Sequence, residues 1–477
     1  MTTTVIRNAD WVVAWDAGRP GHCYIDGADV AWRDGALLHV GRGYAGAADV
    51  EIDGRGRMVM PGLVNIHTHS GWEPVRKGLT DEIRSPGFWH SSLYEYLPLF
   101  PLQPDERAAC LRVAHGELLR SGCTTVVDFE FPYDGWLDAM AESGIRGVAA
   151  PWFYDATYHT GDGHSLTYVW DREEGRRQFD LARRTVDLAF QHPSGRLTAI
   201  VAPGQADCAD PQILRDAWDF AAERRLPYQL HAAESVTEFH EMQRRHGLST
   251  VQWLDSLGVL GPSMILGHAI ILDHHPWLHW TSHRDLALIA ERGASVAHCP
   301  TVFMRRGISL QTFGGYRRAG VNLGIGTDTY PHNMLDEMRH AMQVARVTAG
   351  SVADLEASDV FDAATVGGAR ALGRDDIGRL APGARADLVV VDVTHPAMMP
   401  AREPLRTLVT IAGDRAVRDV FVDGRQVLKQ GEPVHLDHRA NLEALAQAQA
   451  RAMADVPSRD WAGRNVDQLM PRMYPVT

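Results

Sequence analysis

The chain has 477 residues, of which 45% are hydrophobic and 22% charged, a composition typical of a globular protein with room for a large domain and a smaller one. Its formal charge of −13 argues against nucleic acid and anionic membranes as partners. No apolar run approaches the roughly 18 residues of a membrane span, and the first residues lack the pattern of a signal peptide. The five scattered cysteines form no Cys-x-x-Cys pair, which favours reduced thiols and a cytoplasmic location.

The two ends of the chain share one style of sequence. Residues 1–57 are predicted to be short strands separated by Gly and Asp turns, and residues 386–433 resume this pattern. We therefore predict one small β-sandwich domain built from both segments. Residues 434–477 are predicted to form a C-terminal helix over 440–453 and a tail whose apolar side chains pack on the rest of the chain or on a second subunit.

Between these segments, residues 58–385 alternate short apolar strands with amphipathic helices. One helix is predicted over 104–121, a second is expected to have Asp210 as its N-cap, and a third begins with the capping box of residues 235–238. Strand–helix alternation repeated eight times predicts a (β/α)₈ TIM-type barrel, an α/β fold whose site lies at the C-terminal ends of the strands. The predicted strands are 58–66, 124–129, 146–154, 197–202, 228–231, 264–268, 295–298 and 322–327.

Metal-binding side chains recur at the ends of these strands. His67 and His69 end the first strand, and because alternate strand residues share a face, both imidazoles point the same way. His231 and His268 end the fifth and sixth strands, and Asp328 follows the eighth, which a closed barrel returns to the side of the first. Three imidazole nitrogens and a carboxylate suit zinc or iron and leave one position for a water molecule.

Each of these signals also has a purely structural explanation. In a chain with 23 histidines, a His-x-His pair arises by chance, and an aspartate after a strand commonly caps a helix. His231 and the following Glu234 are either a packed histidine and a capping glutamate, or a metal ligand and a general acid/base. The recurrence of histidine at successive strand ends, including His298 after the seventh, favours the metal site.

The loops after the first and third strands are rich in aromatic residues. Loops on this face of a barrel build the substrate pocket, although large side chains there also serve to pack the loops. Aromatic rings suit a flat or apolar ligand, and an arginine could bind a carboxylate. The expected substrate contacts are Trp72, Arg76, Trp89, Trp152, Tyr154 and His159.

The chain resembles the amidohydrolase superfamily. It is most similar to the branch that holds cytosine and guanine deaminases, S-adenosylhomocysteine deaminases and triazine hydrolases. The resemblance covers almost the whole chain and rests on residues 61–69, 231–234, 326–328, 333–339 and 378–388.

This resemblance implies roles for the candidate residues. One divalent metal ion, zinc or iron, would be ligated by four of them: His67, His69, His231 and Asp328. Glu234 would transfer protons, His268 would orient the attacking water or polarise the substrate, and His298 would contact the ligands or the substrate. The branch also implies a small-molecule substrate and a homodimer.

Lysine content bears on the number of metal ions. In binuclear relatives a carbamylated lysine late in the fourth strand bridges two metals. Here the only lysines are Lys77 and Lys429, and residues 196–203 contain none, so a mononuclear site is predicted.

The chain departs from its branch after the seventh strand. In many of these deaminases the histidine of the seventh strand is followed by Asn-Pro and then by a Ser-Asn pair. In this chain, residues 298–305 are mainly apolar and basic. This difference argues against a standard purine or homocysteine-nucleoside substrate. It favours an unusual heterocycle, or an amide, urea or carbamate.

The function best supported by the sequence is hydrolysis of a C–N bond by a metal-activated water, with deamination of a heterocyclic amine as the leading reaction. The alternatives are an amide, urea or carbamate hydrolase and a triazine-type chlorohydrolase. A non-catalytic scaffold is disfavoured because the set of ligands is intact.

Overall fold

The computed structural model describes residues 2–308 and 313–476 and has a mixed α/β architecture. Its strands are β1 (Thr3–Asp16), β2 (Gly21–Arg33), β3 (Ala36–Gly41), β4 (Val50–Asp53), β5 (Arg57–Pro61), β6 (Leu63–Thr68), β7 (Cys123–Glu130), β8 (Arg146–Phe153), β9 (Ala156–His159), β10 (Thr167–Trp170), β11 (Leu197–Ala199), β12 (Ala202–Pro203), β13 (Tyr228–Ala232), β14 (Met264–His268), β15 (Ser295–His298), β16 (Asn322–Ile325), β17 (Leu388–Asp392), β18 (Val417–Val422), β19 (Arg425–Lys429) and β20 (Glu432–Pro433).

The α-helices lie mainly between the parallel strands. They are α1 (Pro104–Arg120), α2 (Trp136–Glu142), α3 (Arg172–Gln191), α4 (Pro211–Arg224), α5 (Val236–His246), α6 (Thr250–Ser256), α7 (Asp285–Arg292), α8 (Pro300–Met304), α9 (Phe313–Arg318), α10 (Met334–Ala349), α11 (Ala357–Asp362), α12 (Gly368–Ala371), α13 (Pro404–Thr407), α14 (His438–Arg459) and α15 (Val466–Leu469). The predicted starts of α1, α4 and α5 are confirmed, with Asp210 and Ser235 capping the latter two. No described helix is both long and apolar enough to cross a membrane.

The two ends of the chain form one nine-stranded sheet, as the shared sequence style predicts. The strand order is β20-β19-β18-β17-β5-β1-β2-β3, and β4 pairs with β1. The segments join where β5 pairs antiparallel with β17, with Met58 opposite Val391. One face of this sheet buries its own apolar cluster, which includes Val12, Trp32 and Phe421.

The site is built on two parallel sheets. The first has the order β11-β8-β7-β6, with β12 also paired to β8, and the second has the order β13-β14-β15-β16. Single bridges link their edges: Val201 pairs with Tyr228, Gln205 with His231, and Thr68 with Asp328. The last of these bridges joins the end of β6 to the segment after β16, and the Gln205–His231 bridge joins the segment after β12 to the end of β13.

The prediction of one strand over 58–66 is wrong, because the chain changes sheets at Pro61 and Gly62. β5 belongs to the terminal sheet, whereas β6 pairs with β7. Proline lacks the N–H that would continue a ladder, and a Cβ on Gly62 would lie 2.0 Å from Oγ1 of Thr124. The predicted strand 197–202 is likewise divided into β11 and β12.

The C-terminal helix is longer than predicted and is packed against its own chain. In α14, Leu445, Ala448 and Val456 join a buried cluster with Leu79 and Phe100 of the loop after β6. The side-chain amide of Gln449 donates to the carbonyl of Val75 at 2.7 Å. The helix therefore supports this loop within one subunit.

Candidate metal centre and substrate cavity

Four predicted ligands meet at the ends of β6, β13 and β16. Their ligand atoms, from His67, His69, His231 and Asp328, all lie within 4.8 Å of one another. Oδ1 of Asp328 is 3.4 Å from Nε2 of His67 and 3.3 Å from Nε2 of His69. Nε2 of His69 is 3.1 Å from Nε2 of His231. The structure thus gathers residues separated by up to 261 positions around one point.

Backbone pairing holds Asp328 beside the histidine pair. Its N–H donates to the carbonyl of His67, and the N–H of His69 donates to the carbonyl of Asp328, both at 2.9 Å. Asp328 has a φ of 57°, a conformation that aspartate tolerates better than most residues. A Cβ on Gly326 would lie 2.7 Å from Cβ of His67, so this close approach of strands requires glycine.

Hydrogen bonds at Nδ1 orient two of the imidazoles. Nδ1 of His231 donates to the carbonyl of Gly204 at 2.8 Å, which leaves Nε2 free to ligate. Nδ1 of His67 lies 3.1 Å from the side-chain amide nitrogen of Gln229, whose buried Oε1 has no partner. Turning this amide by 180° presents Oε1 to an Nδ1–H of His67 and leaves the Nε2 of His67 as the ligand.

The chemistry of the four side chains fits a divalent metal. Burial lowers the pKa of His67, His69 and His231 to about 3, so the imidazoles are neutral, as metal ligands must be. Nε2 of His67 is buried without a hydrogen-bond partner among the residues that the structure describes, an arrangement that is costly unless something else satisfies it. A cation among the three nitrogens and the Asp328 carboxylate would do so.

Glu234 lies at the mouth of this centre, three residues beyond His231. The chain turns through Ala233 at a φ of 53°, and Glu238 accepts hydrogen bonds from the N–H groups of Ala233 and Glu234 at 2.7 and 2.8 Å. Within the described chain, the Glu234 carboxyl itself has one weak partner, the Gln205 amide at 3.5 Å. Burial, and then the nearby Asp328 carboxylate, raise the pKa of Glu234 well above its usual value.

His268 is beside the four ligands without joining them. Its ring centre is 4.8 Å from that of His67 and 5.3 Å from that of His231. Both ring nitrogens are buried without hydrogen-bond partners among the described residues, and the residue has a φ of 76°. Burial lowers its pKa well below the ordinary value. A neutral imidazole with two uncommitted nitrogens is suited to bind a water molecule or a substrate atom.

A cavity of about 310 Å³ opens directly over the centre. The ring of Trp152 forms one wall, stacked on His231 at 5.3 Å and 29° and on Phe131 at 5.3 Å and 23°. The cavity is also lined by Trp72, Glu73, Arg76, Ser91, Ser92, Tyr154, Gln205, Glu234, Val302, Phe303, Arg306 and Ile308.

Of the predicted substrate contacts, Trp72, Arg76, Trp152 and Tyr154 line the cavity. Arg76 forms an ion pair with Glu73 and donates to the carbonyl of Leu97 at 3.0 Å, so its charge is already balanced.

The structure does not bring the other three predicted contacts to the cavity. Trp89 is 44% exposed, His159 lies on the exposed hairpin of β9 and β10, and His298 packs on Phe313 with ring centres 4.6 Å apart.

Several residues of the site were not predicted from the sequence, among them Gln229, Phe303 and Arg306. Gln229 was detectable in principle, because it precedes His231 by two positions and so shares its face of β13. Phe303 and Arg306 follow the seventh strand, where the sequence departs from its branch. Only folding reveals that the Phe303 ring meets His268 edge-on at 5.0 Å and that Arg306 reaches the cavity.

Comparison with known proteins supports this picture. The model of the amidohydrolase family matches residues 58–427. The 5′-deoxyadenosine deaminase of Methanothermobacter thermautotrophicus is 30% identical over 409 residues, which cover 85% of this chain and 90% of that protein. The 5-methylthioadenosine/S-adenosylhomocysteine deaminase of Pelotomaculum thermopropionicum is 28% identical over 450 residues, 90% of this chain and 96% of that protein.

Solved structures show the same fold. An adenosine deaminase from Xanthomonas campestris with bound zinc superposes with a TM-score of 0.81 at 26% identity, covering 94% of this chain and 98% of its own. The atrazine chlorohydrolase of Arthrobacter aurescens, complexed with zinc, has a TM-score of 0.77 at 21% identity and covers 94% of this chain and all of its own. The second likeness is evidence for the fold alone.

Proposed function

Because the chain belongs to the amidohydrolase family, we propose that it is a mononuclear metal-dependent hydrolase that deaminates a heterocyclic amine. The observation that carries this proposal is the convergence of four metal-binding side chains and Glu234 at one aromatic cavity, with His268 packed against His67 and His231 beside it. The named relatives, which are deaminases of adenosine derivatives, support deamination over the other C–N hydrolyses.

The residues that would hold the metal are His67, His69, His231 and Asp328. When bound, a divalent ion supplies Lewis acidity that lowers the pKa of a water molecule to about 7. The absence of a lysine from residues 196–203 supports a single ion. Zinc is the metal we propose, supported by the bound zinc of the X. campestris adenosine deaminase.

We assign the proton transfers to Glu234. Its carboxylate would accept a proton from the attacking water as the water oxygen bonds to the ring carbon. The same group would then deliver that proton to the amino nitrogen, so that the C–N bond breaks and ammonia leaves. Such general acid/base catalysis contributes about 10²–10⁴-fold in rate. The raised pKa of Glu234 suits a group that must hold the proton between the two steps.

His268 is proposed to orient the reacting groups. Its two unpartnered ring nitrogens can donate one hydrogen bond and accept another. Phe303 covers one edge of the ring, which limits the directions from which a ligand can reach it. We infer that His268 contacts the attacking water or the ring atom that gains charge during the addition.

The cavity walls support a flat substrate. Trp152 and Phe131 are stacked on one side, and Val302, Phe303 and Ile308 supply a second apolar surface. An aromatic heterocycle gains stacking contact from such walls. Adenine nucleosides are the first class to test, because the relatives act on adenosine derivatives.

The test is release of ammonia by the zinc-loaded protein. We expect ammonia from at least one of adenosine, 5′-deoxyadenosine, 5-methylthioadenosine, S-adenosylhomocysteine, cytosine, guanine and aminotriazines, with none from the chelated protein or from His69→Ala. Amine and chloride are measured in parallel with matching amides, ureas and chlorotriazines. Release of amine or chloride without ammonia from any amine would contradict the deaminase proposal and favour the other two hydrolases.

We further infer that the two parallel sheets close into one (β/α)₈ barrel, with the terminal sheet as a separate β-sandwich domain. The bridges at both sheet edges support closure. The domain limits remain predictions: 1–57 with 386–433 for the β domain, and 58–385 for the barrel. The change of sheets at Gly62 moves the proposed start of the barrel to that residue. A homodimer and a cytoplasmic location also remain predictions, and light scattering tests the first.

A further inference from the structure

Arg306 is a cation in the wall of the substrate cavity. It follows α8 by two residues and lines the cavity together with Val302, Phe303 and Ile308. Its recorded hydrogen bond is long, from Nη1 to the carbonyl of Thr80 at 3.4 Å. Within the described part of the chain, no carboxylate oxygen lies within 4.0 Å of its guanidinium. The neighbouring arginines, in contrast, form ion pairs.

The neighbouring charges are already balanced. Arg76 is paired with Glu73, and Arg305 is paired with Asp81 at 3.3 Å and bound to the carbonyl of Tyr330 at 2.8 Å. Arg306 is thus left without a direct counter-charge among the described residues that line the cavity.

The guanidinium remains charged in this position. Burial and the adjacent Arg305 lower the pKa of Arg306 to about 10, despite longer-range attraction from Glu73, so it is cationic at neutral pH. A partly buried cation without a hydrogen-bonded anion is unfavourable. An anion entering the cavity would relieve this cost and gain charge-assisted hydrogen bonds.

We propose that Arg306 binds an anionic substituent of the substrate, most simply a carboxylate, and so selects anionic heterocyclic amines over neutral ones. The inference rests on the proposed function, which identifies the substrate as a heterocyclic amine. It adds that this substrate carries a negative charge. Ser91 and Ser92, which are 8% and 5% exposed, place hydroxyl groups in the same cavity and can donate further hydrogen bonds to the anion. Selection at this residue also gives a role to the basic sequence after the seventh strand.

The experiment compares two probes that differ only at the 5′ position: adenosine, which is neutral, and adenosine 5′-carboxylic acid, in which a carboxylate replaces the hydroxymethyl group. Binding is measured by calorimetry on the zinc-loaded Glu234→Gln protein, which removes turnover from the comparison. We expect the carboxylate to bind about tenfold more tightly or better, as one charge-assisted hydrogen-bond pair implies.

The variants assign this preference to one residue. Each variant is made in the Glu234→Gln background. Arg306→Gln should abolish the preference for the carboxylate. Arg306→Lys, which keeps the charge, should bind the carboxylate about threefold more tightly than adenosine. Arg292→Gln, which removes an exposed arginine paired with Asp255, should keep the full preference. Melting temperature and zinc content establish that each variant is folded and loaded.

The outcomes separate this inference from the proposed function. A carboxylate that binds no better than adenosine, or a preference unchanged by Arg306→Gln, overturns the anion subsite. A preference that is lost with Arg306→Gln supports the subsite. If the enzyme with Glu234 intact also releases no ammonia from any amine, the deaminase proposal fails and the subsite stands. Ammonia release without any preference leaves the deaminase proposal standing and removes the subsite.

Discussion

Replacing Glu234 with glutamine separates chemistry from binding at the metal centre. The amide has nearly the same shape as the carboxylate, but it cannot accept a proton from water and return it to a leaving nitrogen. We expect Glu234→Gln to retain its metal and its substrate affinity while turnover falls by about 10²–10⁴-fold. At 1.36 kcal/mol for each tenfold change, this loss is about 2.7–5.4 kcal/mol in the activation barrier.

The structure explains why the folded state should tolerate this change. Among the described residues the carboxyl has a single weak side-chain partner, the Gln205 amide at 3.5 Å, so little native hydrogen bonding is lost. The backbone at residue 234 is held by Glu238 at 2.8 Å, which the substitution leaves in place. The ligand atoms of His231 and Asp328 belong to other side chains, so metal binding should persist.

The assay measures kcat and KM for ammonia release together with the zinc content and melting temperature of each protein. Glu241→Gln serves as the control, because Glu241 pairs with Arg244 and Arg245 on α5 and not with the centre. A Glu234→Gln enzyme with near wild-type kcat would refute the proton-transfer assignment. His268 or Asp328 would then have to carry the proton.

The remaining predictions concern the metal and the pH dependence of stability. Asp328→Asn should weaken metal retention as well as activity. Elemental analysis of the wild-type protein should give about one ion per chain. Two tightly bound ions per active chain would exclude the mononuclear site. Gln229→Leu removes the partner of Nδ1 of His67. Zinc affinity, measured by competition with a chelator, should fall by about 10–100-fold. An unchanged zinc affinity would contradict the orienting role of Gln229. Burial raises the pKa of Glu130 from 4.5 to about 8, so its contribution to stability is present below pH 4.5 and is lost as the pH rises to about 8. Glu130→Gln should therefore make denaturant-measured stability fall less between pH 5 and 8 than in wild type, and equal slopes would refute the assignment.

Local sequence was sufficient to place the candidate metal ligands at strand ends. His67 and His69 share a face because strand residues alternate, and His231, His268 and Asp328 each end or follow an apolar run. These rules act over a few residues, so the sequence alone predicts that such side chains emerge at strand ends. The pairing of the two chain ends was also predictable, because both segments carry the same strand and turn pattern.

Local rules failed where two distant parts of the chain meet. An apolar run does not reveal that β5 and β6 belong to different sheets, since that depends on the contact between Gly62 and Thr124. The same holds for the loops: Trp72 and Trp89 both lie between β6 and α1, yet of the two only Trp72 lines the cavity.

The charge of the pocket was decided entirely by tertiary structure. The sequence shows many arginines and acidic residues, but it does not show that Glu73 neutralises Arg76 or that Asp81, 224 positions away, neutralises Arg305. Only the folded chain places Arg306 at the cavity without an ion-pair partner among the described residues. Strand periodicity thus determined which groups could bind a metal, whereas long-range packing decided which charges were cancelled, because electrostatic interactions depend on distances in space and not along the chain.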